Sequence, residues 1–115
     1  MSESRDVVCV LFVCDQNRRR SATAERVFCK RAGLDVRSAG LGRDALVHIN
    51  ERMLEWADRI FVMEERHRRV LTDRFPAHPA LTRIVSLEIA DKYAFLDPQL
   101  VELLESRVAQ HLQNV

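Results

Sequence analysis

The feature that most constrains the fold is an apolar run followed at once by a polar loop and a helical pattern. Val7 to Val13 contains only apolar residues, most of them β-branched, which is typical of a strand buried on both faces of a parallel sheet. Asp15 to Arg20 are all polar and end the run abruptly. Helical periodicity follows from Ser21 to Ala32, with Gly33 as a stop signal. This order predicts the first half of a βαβ unit.

The rest of the chain continues the same alternation of strands and helices. The remaining predicted elements are Leu34–Ser38, Asn50–Ala57, Arg59–Met63, Glu64–Phe75, Arg83–Ile89 and a last helix that Asp97 caps and Pro98 opens. Such alternation favours an α/β fold. We expect a single three-layer domain over residues 1–115, with a four-stranded parallel sheet, helices on both faces and a phosphate-binding loop after the first strand.

Composition limits the possible classes of protein. The chain has 115 residues, 47% hydrophobic and 30% charged, with a net charge of +1, which fits one globular domain and gives no global case for nucleic acid or membrane binding. No stretch approaches the roughly 20 apolar residues of a membrane helix, and Met1 to Asp6 lacks the pattern of a signal peptide. Three cysteines form no disulfide framework. We therefore expect a cytoplasmic protein, and its oligomeric state stays open.

Polar loops at one edge of the predicted sheet mark the candidate site. In open parallel sheets, ligands bind at the carboxyl ends of the strands. The polar loops predicted at that edge are Asp15 to Arg20, Ala39 to Ile49 and Ala90 to Leu96. Since the first lies between a buried strand and a helix, it is the strongest candidate.

Reactive groups lie at both ends of this first loop, on Cys14, Arg20 and Ser21. A cysteine at a helix N-terminus beside guanidinium charge is favoured as the thiolate, which is a nucleophile. Five intervening residues let the backbone N–H groups surround a tetrahedral anion. Arg20 can bind two phosphate oxygens, and the hydroxyl of Ser21 can donate to the sulfur. The spacing therefore predicts attack by sulfur on phosphorus, with a phosphocysteine intermediate that water hydrolyses.

The same residues resemble the low-molecular-weight protein tyrosine phosphatases. That family has Cys-x-Gly-Asn-x-Cys-Arg-Ser after an apolar strand and then an Ala-Glu helix. Here Cys14-Asp-Gln-Asn-Arg-Arg-Arg-Ser21 precedes Ala22-Thr-Ala-Glu25. Arg37-Ser-Ala-Gly40 and Ala57-Asp-Arg-Ile-Phe-Val-Met63 are similar to two further family segments. The resemblance covers most of the chain and implies hydrolysis of phosphomonoesters, with protein phosphotyrosine as the expected substrate and no cofactor.

The resemblance also assigns roles by position. Cys14 would be the nucleophile and Arg20 the phosphate-binding arginine. The substrate-binding loop would comprise Asp15, Gln16, Asn17, Arg18, Arg19 and Ser21. Ser38 would join Asn17 and Ser21 in a hydrogen-bond network that holds the loop.

The family's general acid is an aspartate in the loop after the fourth strand, and two residues here are candidates. Asp91 follows that strand closely and has an aromatic residue, Tyr93, two positions later. Asp97 precedes a proline, as in the family, but also suits the N-cap of the last helix. We expect Asp91 to be the acid. Tyr93 would either flank the pocket or anchor the loop.

Departures from the family motif keep other functions open. Gln16 replaces a glycine where a left-handed backbone can be required, and Arg19 replaces a second cysteine. The segment between Gly40 and Ala57 is short, which implies a shallow pocket. Arg18 and Arg19 either favour an acidic or multiply phosphorylated substrate or are simply solvated.

A phosphate-binding module without activity and an arsenate reductase-like enzyme are the alternative functions. The second would need further cysteines in a mobile region. Cys9 and Cys29 are expected within a strand and a helix, as small core residues. The histidines lack the spacing of metal ligands, so no metal is expected.

Overall fold

A computed structural model describes residues 7–112, and its elements follow the predicted order. The expectation about Met1 to Asp6 lies outside these residues. The strands are β1 (Val8–Cys14), β2 (Leu34–Gly40), β3 (Arg59–Val62) and β4 (Ile84–Ser86). The helices are α1 (Arg20–Phe28), α2 (Glu51–Trp56), α3 (Glu65–Arg74) and α4 (Pro98–Leu112).

The four strands form one parallel sheet in the order β2-β1-β3-β4. β1 is central, and its residues Val10 to Val13 pair with β2 on one side and β3 on the other. These residues are fully buried, as the uninterrupted apolar run predicts for a strand covered on both faces. The α/β class and the parallel sheet are therefore confirmed.

Alternate residues of β1 enter two separate cores. Val10 and Phe12 pack with residues of α1 and α4, whereas Leu11 and Val13 pack with residues of α2 and α3. This alternation follows from the strand period of two. Helices thus cover both faces of the sheet, as predicted.

α1 is shorter than predicted, which corrects the placement of Cys29. The helix ends at Phe28, and the chain turns through residues 29–33 to enter β2. Gly33 adopts a left-handed backbone, with φ 85°, that closes this turn. Cys29 therefore lies outside the helix and is exposed, so its prediction as a core residue is wrong. Cys9 is half-buried in β1.

β4 is also shorter than the predicted strand Arg83–Ile89. Arg83 belongs to a 3₁₀ helix over Pro79–Arg83 that the sequence patterns did not indicate. Glu88 has a φ of 55°, which no regular strand accommodates. The N–H of Ile89 still donates to the carbonyl of Met63, at 2.8 Å, so the chain stays beside β3 as it reaches the acid loop (residues 90–96).

Asp97 caps α4 as predicted, because its Oδ1 accepts from the N–H of Gln99 at 2.8 Å. Within residues 7–112, no helix combines the length and apolarity needed to cross a membrane.

Candidate active site

The anion loop (residues 14–21) is held by backbone hydrogen bonds from the segment that follows β2. The bonds run from Leu41 to Cys14, from Gly42 to Asp15 and from Leu46 to Gln16, with N···O distances of 2.9, 2.7 and 3.0 Å. Three consecutive carbonyl groups thus face outward. Among residues 7–112 no peptide bond is cis, and in a trans peptide the N–H points opposite to the C=O. The N–H groups of residues 15–17 therefore face the inside of the loop.

Two glycines allow this close backbone approach. A Cβ atom on Gly40 would lie 2.6 Å from the Cβ of Ala45 and 2.7 Å from the carbonyl oxygen of Asp15. One on Gly42 would lie 2.9 Å from the Nε2 of Gln16. Any larger residue at Gly40 would push the two segments apart, and the outward carbonyls would lose their donors.

The left-handed position of the loop is Asn17, with φ 59°, and Gln16 has no positive φ. The strain expected at Gln16 is therefore absent. Asparagine tolerates the left-handed region better than most residues. This turn also directs the N–H of Asn17 at the Cys14 sulfur, 3.3 Å away.

A buried hydrogen-bond network connects the sulfur to the second strand. Cys14 Sγ lies 3.0 Å from Ser21 Oγ, and Asn17 Nδ2 donates to Ser21 at 2.9 Å and to Ser38 at 2.8 Å. Ser38 in turn donates to the carboxylate of Glu25 on α1. Asn17, Ser21 and Ser38 are thus brought together as the resemblance implied, and each is buried.

The Arg20 guanidinium is buried, with 1% of the side chain exposed, and is held by several acceptors. Nη1 donates to Glu64 Oε2 at 2.5 Å and to the carbonyl of Ile89 at 2.7 Å. Nη2 donates to Asp15 Oδ2 at 3.2 Å, and Nε lies 3.8 Å from Asp91 Oδ1. Glu64 and Ile89 thus fix one nitrogen, which leaves the Nε–Nη2 edge directed toward the two aspartates.

Asp15 is shared between Arg20 and a second arginine, Arg66. The two carboxylate oxygens of Asp15 accept from Arg66 Nη1 and Nη2 at 2.9 and 2.5 Å. His67, which is fully buried, places Nε2 at 3.3 Å from Asp15 Oδ1. That contact is too poorly aligned for a hydrogen bond but close enough for the charge of Asp15 to act on the ring.

The pKa values in this cluster follow from burial and charge. Burial alone would raise the pKa of Asp15, but hydrogen bonds from Arg66 and the charge of its guanidinium outweigh it, so the pKa is lowered. In Glu64, burial is likewise outweighed by hydrogen bonds from Arg20 and Arg66, and the pKa is lowered. Burial lowers the pKa of His67 despite the nearby Asp15. The two carboxylates are therefore ionised and His67 is neutral at pH 7.

A cavity of about 50 Å³ opens over the anion loop. Its lining residues are Cys14, Asp15, Gln16, Arg18, Arg19, Arg20 and Asp91. A single water requires about 10–15 Å³ on this measure, and pockets for drug-sized ligands have roughly 300–1,000 Å³. The cavity thus has the size of a small polyatomic anion.

The predicted site residues that do not line the cavity have other surroundings. Asn17 and Ser21 lie beneath the loop, in the network below the sulfur. Tyr93 is half-buried and packs against the core formed with α1 and α4, as a loop anchor does. Of the two candidate acids, only Asp91 lines the cavity.

Sequence reasoning missed Glu25, Glu64, Arg66 and His67. Glu25 lies four residues after Ser21, on the same face of α1. Glu64 follows Met63 at the carboxyl end of β3, next to the central strand. The predicted site edge omitted the loop after β3, and including it would have found these last three residues.

Asp15, Glu64 and His67 have ligand atoms close enough for a metal ion, but their hydrogen bonds argue against one. His67 Nδ1 accepts from the backbone N–H of Glu64 at 3.0 Å. The proton of the neutral ring is therefore on Nε2, the ring nitrogen nearest Asp15. A protonated ring nitrogen has no free lone pair for a metal. Two guanidinium groups also occupy the carboxylates.

The central strand, the glycine-supported anion loop and the buried sulfur network define the low-molecular-weight protein tyrosine phosphatase fold. This chain has that fold, as comparison with solved structures shows. A phosphatase of this class from T. tengcongensis superimposes with a TM-score of 0.78 at 19% identity, over 94% of this chain and 99% of that chain. Wzb from Escherichia coli K30, in complex with phosphate, gives 0.76 at 18% identity, over 95% and 99%.

The YwlE arginine phosphatase from Geobacillus stearothermophilus gives a TM-score of 0.74 at 21% identity, over 93% of this chain and 94% of that chain. No family model and no curated protein matches the sequence. The resemblance inferred from the sequence is thus confirmed as a resemblance of fold.

Proposed function

We propose that this protein is a cysteine-dependent phosphatase that hydrolyses phosphomonoesters through a phosphocysteine. The observation that carries the proposal is the placement of Cys14 Sγ under a loop whose N–H groups face inward, at the start of α1, with Asn17 N–H 3.3 Å away. Inward N–H groups at a helix N-terminus bind anions. The phosphoryl group would therefore lie in line with the sulfur.

The first chemical step forms a sulfur–phosphorus bond and breaks the bond between phosphorus and the ester oxygen. Asp91 lines the same cavity as the anion loop, and it would donate its proton to the leaving oxygen. Its side chain is 47% exposed, which allows it to exchange protons with solvent. Ser21, 3.0 Å from Sγ, would donate a hydrogen bond to the sulfur when it leaves.

The second step would transfer the phosphoryl group to water. Asp91, now ionised, would accept a proton from the attacking water, the sulfur–phosphorus bond would break, and inorganic phosphate would leave. Arg20 would bind two phosphoryl oxygens through its Nε–Nη2 edge in both steps. Glu64 and Ile89, which hold Nη1, would orient that edge.

The arsenate reductase-like alternative requires a second cysteine near Cys14. Cys9 lies five residues from Cys14 along an extended strand, about 16 Å away. Cys29 lies nine residues after Arg20, about 13 Å from the start of α1, where Cys14 contacts Ser21. A disulfide needs Cα atoms about 4.4–6.8 Å apart. Either partner would require β1 or α1 to unfold, and this distance argues against the alternative.

The test is hydrolysis of p-nitrophenyl phosphate between pH 5 and 8 by the wild type and by Cys14→Ser, Asp91→Ala and Asp97→Ala. We expect no turnover with Cys14→Ser and a strong loss with Asp91→Ala. Asp97→Ala is the matched control, because it removes a helix cap and leaves the cavity intact. A wild type that binds vanadate without turnover would instead identify a phosphate-binding module.

The expected substrate class is protein phosphotyrosine. A phosphotyrosine peptide and a phosphoarginine peptide should be compared at equal concentration, because one structure with this fold is an arginine phosphatase. A higher kcat/KM for the phosphotyrosine peptide supports the proposal, and the reverse order would reject it.

A further inference from the structure

The arginines around the cavity fall into two electrostatic groups. Arg20 and Arg66 are neutralised by Asp15 and Glu64, at distances of 2.5 to 3.3 Å. Arg18 and Arg19 line the same cavity and are exposed. Within residues 7–112, neither has a carboxylate oxygen within 4.0 Å. Arg18 and Arg19 are thus the cations of the cavity lining that no carboxylate of residues 7–112 compensates.

Arg18 is held in place without being neutralised. Its Nη2 donates to the carbonyl oxygen of Asp44 at 3.1 Å, which fixes the guanidinium against the segment after β2 and leaves its charge uncompensated. A cation fixed in this way is ready to bind an anion with little further loss of side-chain entropy.

Exposed apolar side chains follow Asp44 in the segment that Arg18 contacts. Leu46 and Val47 are 61% and 42% exposed, and the N–H of Leu46 donates to Gln16 of the anion loop. They therefore lie on the outer side of the anion loop, close to Arg18. Exposed apolar surface next to a site can form part of a protein–protein contact.

We propose that Arg18, Arg19, Leu46 and Val47 form a docking surface for an acidic segment of a protein substrate, next to its phosphorylated residue. The proposal rests on the proposed function and specifies its substrate class. The two uncompensated cations account for the acidic residues of the partner. The apolar pair accounts for a polypeptide, since a small bisphosphate would bind the arginines alone.

The test measures binding of fluorescent phosphotyrosine peptides to the Cys14→Ser protein by anisotropy, so that it does not depend on turnover. Two peptides differ only in the residues that flank the phosphotyrosine, two glutamates on each side in one and two glutamines in the other. We expect the glutamate peptide to bind about 2- to 25-fold more tightly, the range for two exposed ion pairs. Added NaCl should reduce this ratio.

Variants that lack arginine charges show which residues cause the difference in affinity between the two peptides. Arg18→Gln/Arg19→Gln should bring the ratio of the two affinities close to one. The matched control is Lys30→Gln/Arg74→Gln, which removes the same charge at exposed residues. Lys30 lies two residues past the end of α1, and Arg74 ends α3. Both are near the opposite edge of the sheet, and removing their charges should preserve the ratio.

A second variant avoids any disturbance of the anion loop. Leu46→Glu adds a negative charge to the docking surface and keeps the backbone bond to Gln16. It should weaken binding of the glutamate peptide more than that of the glutamine peptide. The proposal would be overturned if the two peptides bound the unmodified surface with equal affinity. A ratio of affinities that changes only in the control variant would also overturn it.

Turnover separates this inference from the proposed function. If the wild type hydrolyses both peptides with equal kcat/KM, the phosphatase stands and the docking surface is rejected. If the glutamate peptide binds more tightly and neither peptide is hydrolysed, the docking surface stands and the phosphatase is rejected.

Discussion

Replacing Asn17 tests how the anion loop holds its shape. Asn17 combines a left-handed backbone, with φ 59°, and a buried side chain that donates to Ser21 and Ser38. Alanine loses the two side-chain hydrogen bonds and also strains the left-handed backbone. Glycine removes only the side chain and accepts the backbone conformation freely. The two variants therefore separate backbone strain from the hydrogen-bond network.

The magnitude follows from these contacts. Each lost hydrogen bond costs about 0.5–1.5 kcal/mol, and both serines retain another partner, so no buried hydroxyl is left alone. The left-handed backbone costs alanine about 1–2 kcal/mol more. Asn17→Ala should thus lower the free energy of unfolding by about 2–5 kcal/mol. Asn17→Gly avoids the strain but adds about 0.4–1 kcal/mol of unfolded-state entropy.

Urea denaturation gives the free energies, and hydrolysis of p-nitrophenyl phosphate gives the activity. We expect the wild type to be the most stable and Asn17→Ala the least. Activity should follow the same order, because the strained alanine withdraws the N–H directed at the Cys14 sulfur. An alanine variant as stable and active as the glycine variant would refute the role of the left-handed turn.

Three further variants test the groups that hold the arginine, the acid loop and the buried histidine. Glu64→Gln should lower the free energy of unfolding by about 1–3 kcal/mol in urea denaturation, since a buried guanidinium loses a charged partner, whereas the exposed Glu65→Gln should change it little. Thr23→Val leaves the N–H of Leu96 without its acceptor at 2.9 Å and should reduce kcat more than the Thr23→Ser control, in the same hydrolysis assay. Burial lowers the pKa of His67, so the unfolded state takes up the proton first, and stability is lost as the pH falls from about 6.5 through the folded-state value. His67→Gln should lack this loss in urea titrations at pH 7.5 and 5, and an unchanged pH dependence would contradict this assignment.

The parts of the fold that the sequence predicted are those with local signals. The apolar run before Cys14 specifies a central strand, because only a strand covered on both faces lacks polar positions. The abrupt change to polar residues places the anion loop. The proline that follows Asp97 indicates that Asp97 is the N-cap of the last helix. Each of these features depends on residues within a few positions of one another.

The parts that escaped prediction depend on contacts between distant residues. Arg20 and Glu64 are 44 positions apart, and Asp15 and Arg66 are 51 apart, so no local pattern relates them. Whether Gln16 or Asn17 takes the left-handed backbone depends on how the segment after β2 packs on the loop. β4 likewise ends at Ser86, shortly before the left-handed backbone of Glu88, and no residue pattern in the predicted strand marks that end.

The way the anion loop is held also bears on how such a protein can diverge. Leu41, Gly42 and Leu46 support the loop through their backbone N–H groups, while the side chain of Leu46 is exposed to solvent. Substitutions of the exposed side chains in this segment can alter the surface close to Arg18 without altering the geometry around the sulfur. Insertions in the same segment would break the hydrogen bonds that hold the carbonyl groups of the anion loop. Lineages with this architecture should therefore exchange side chains at the exposed positions Arg43, Asp44 and Leu46 and accept added length only after Ile49.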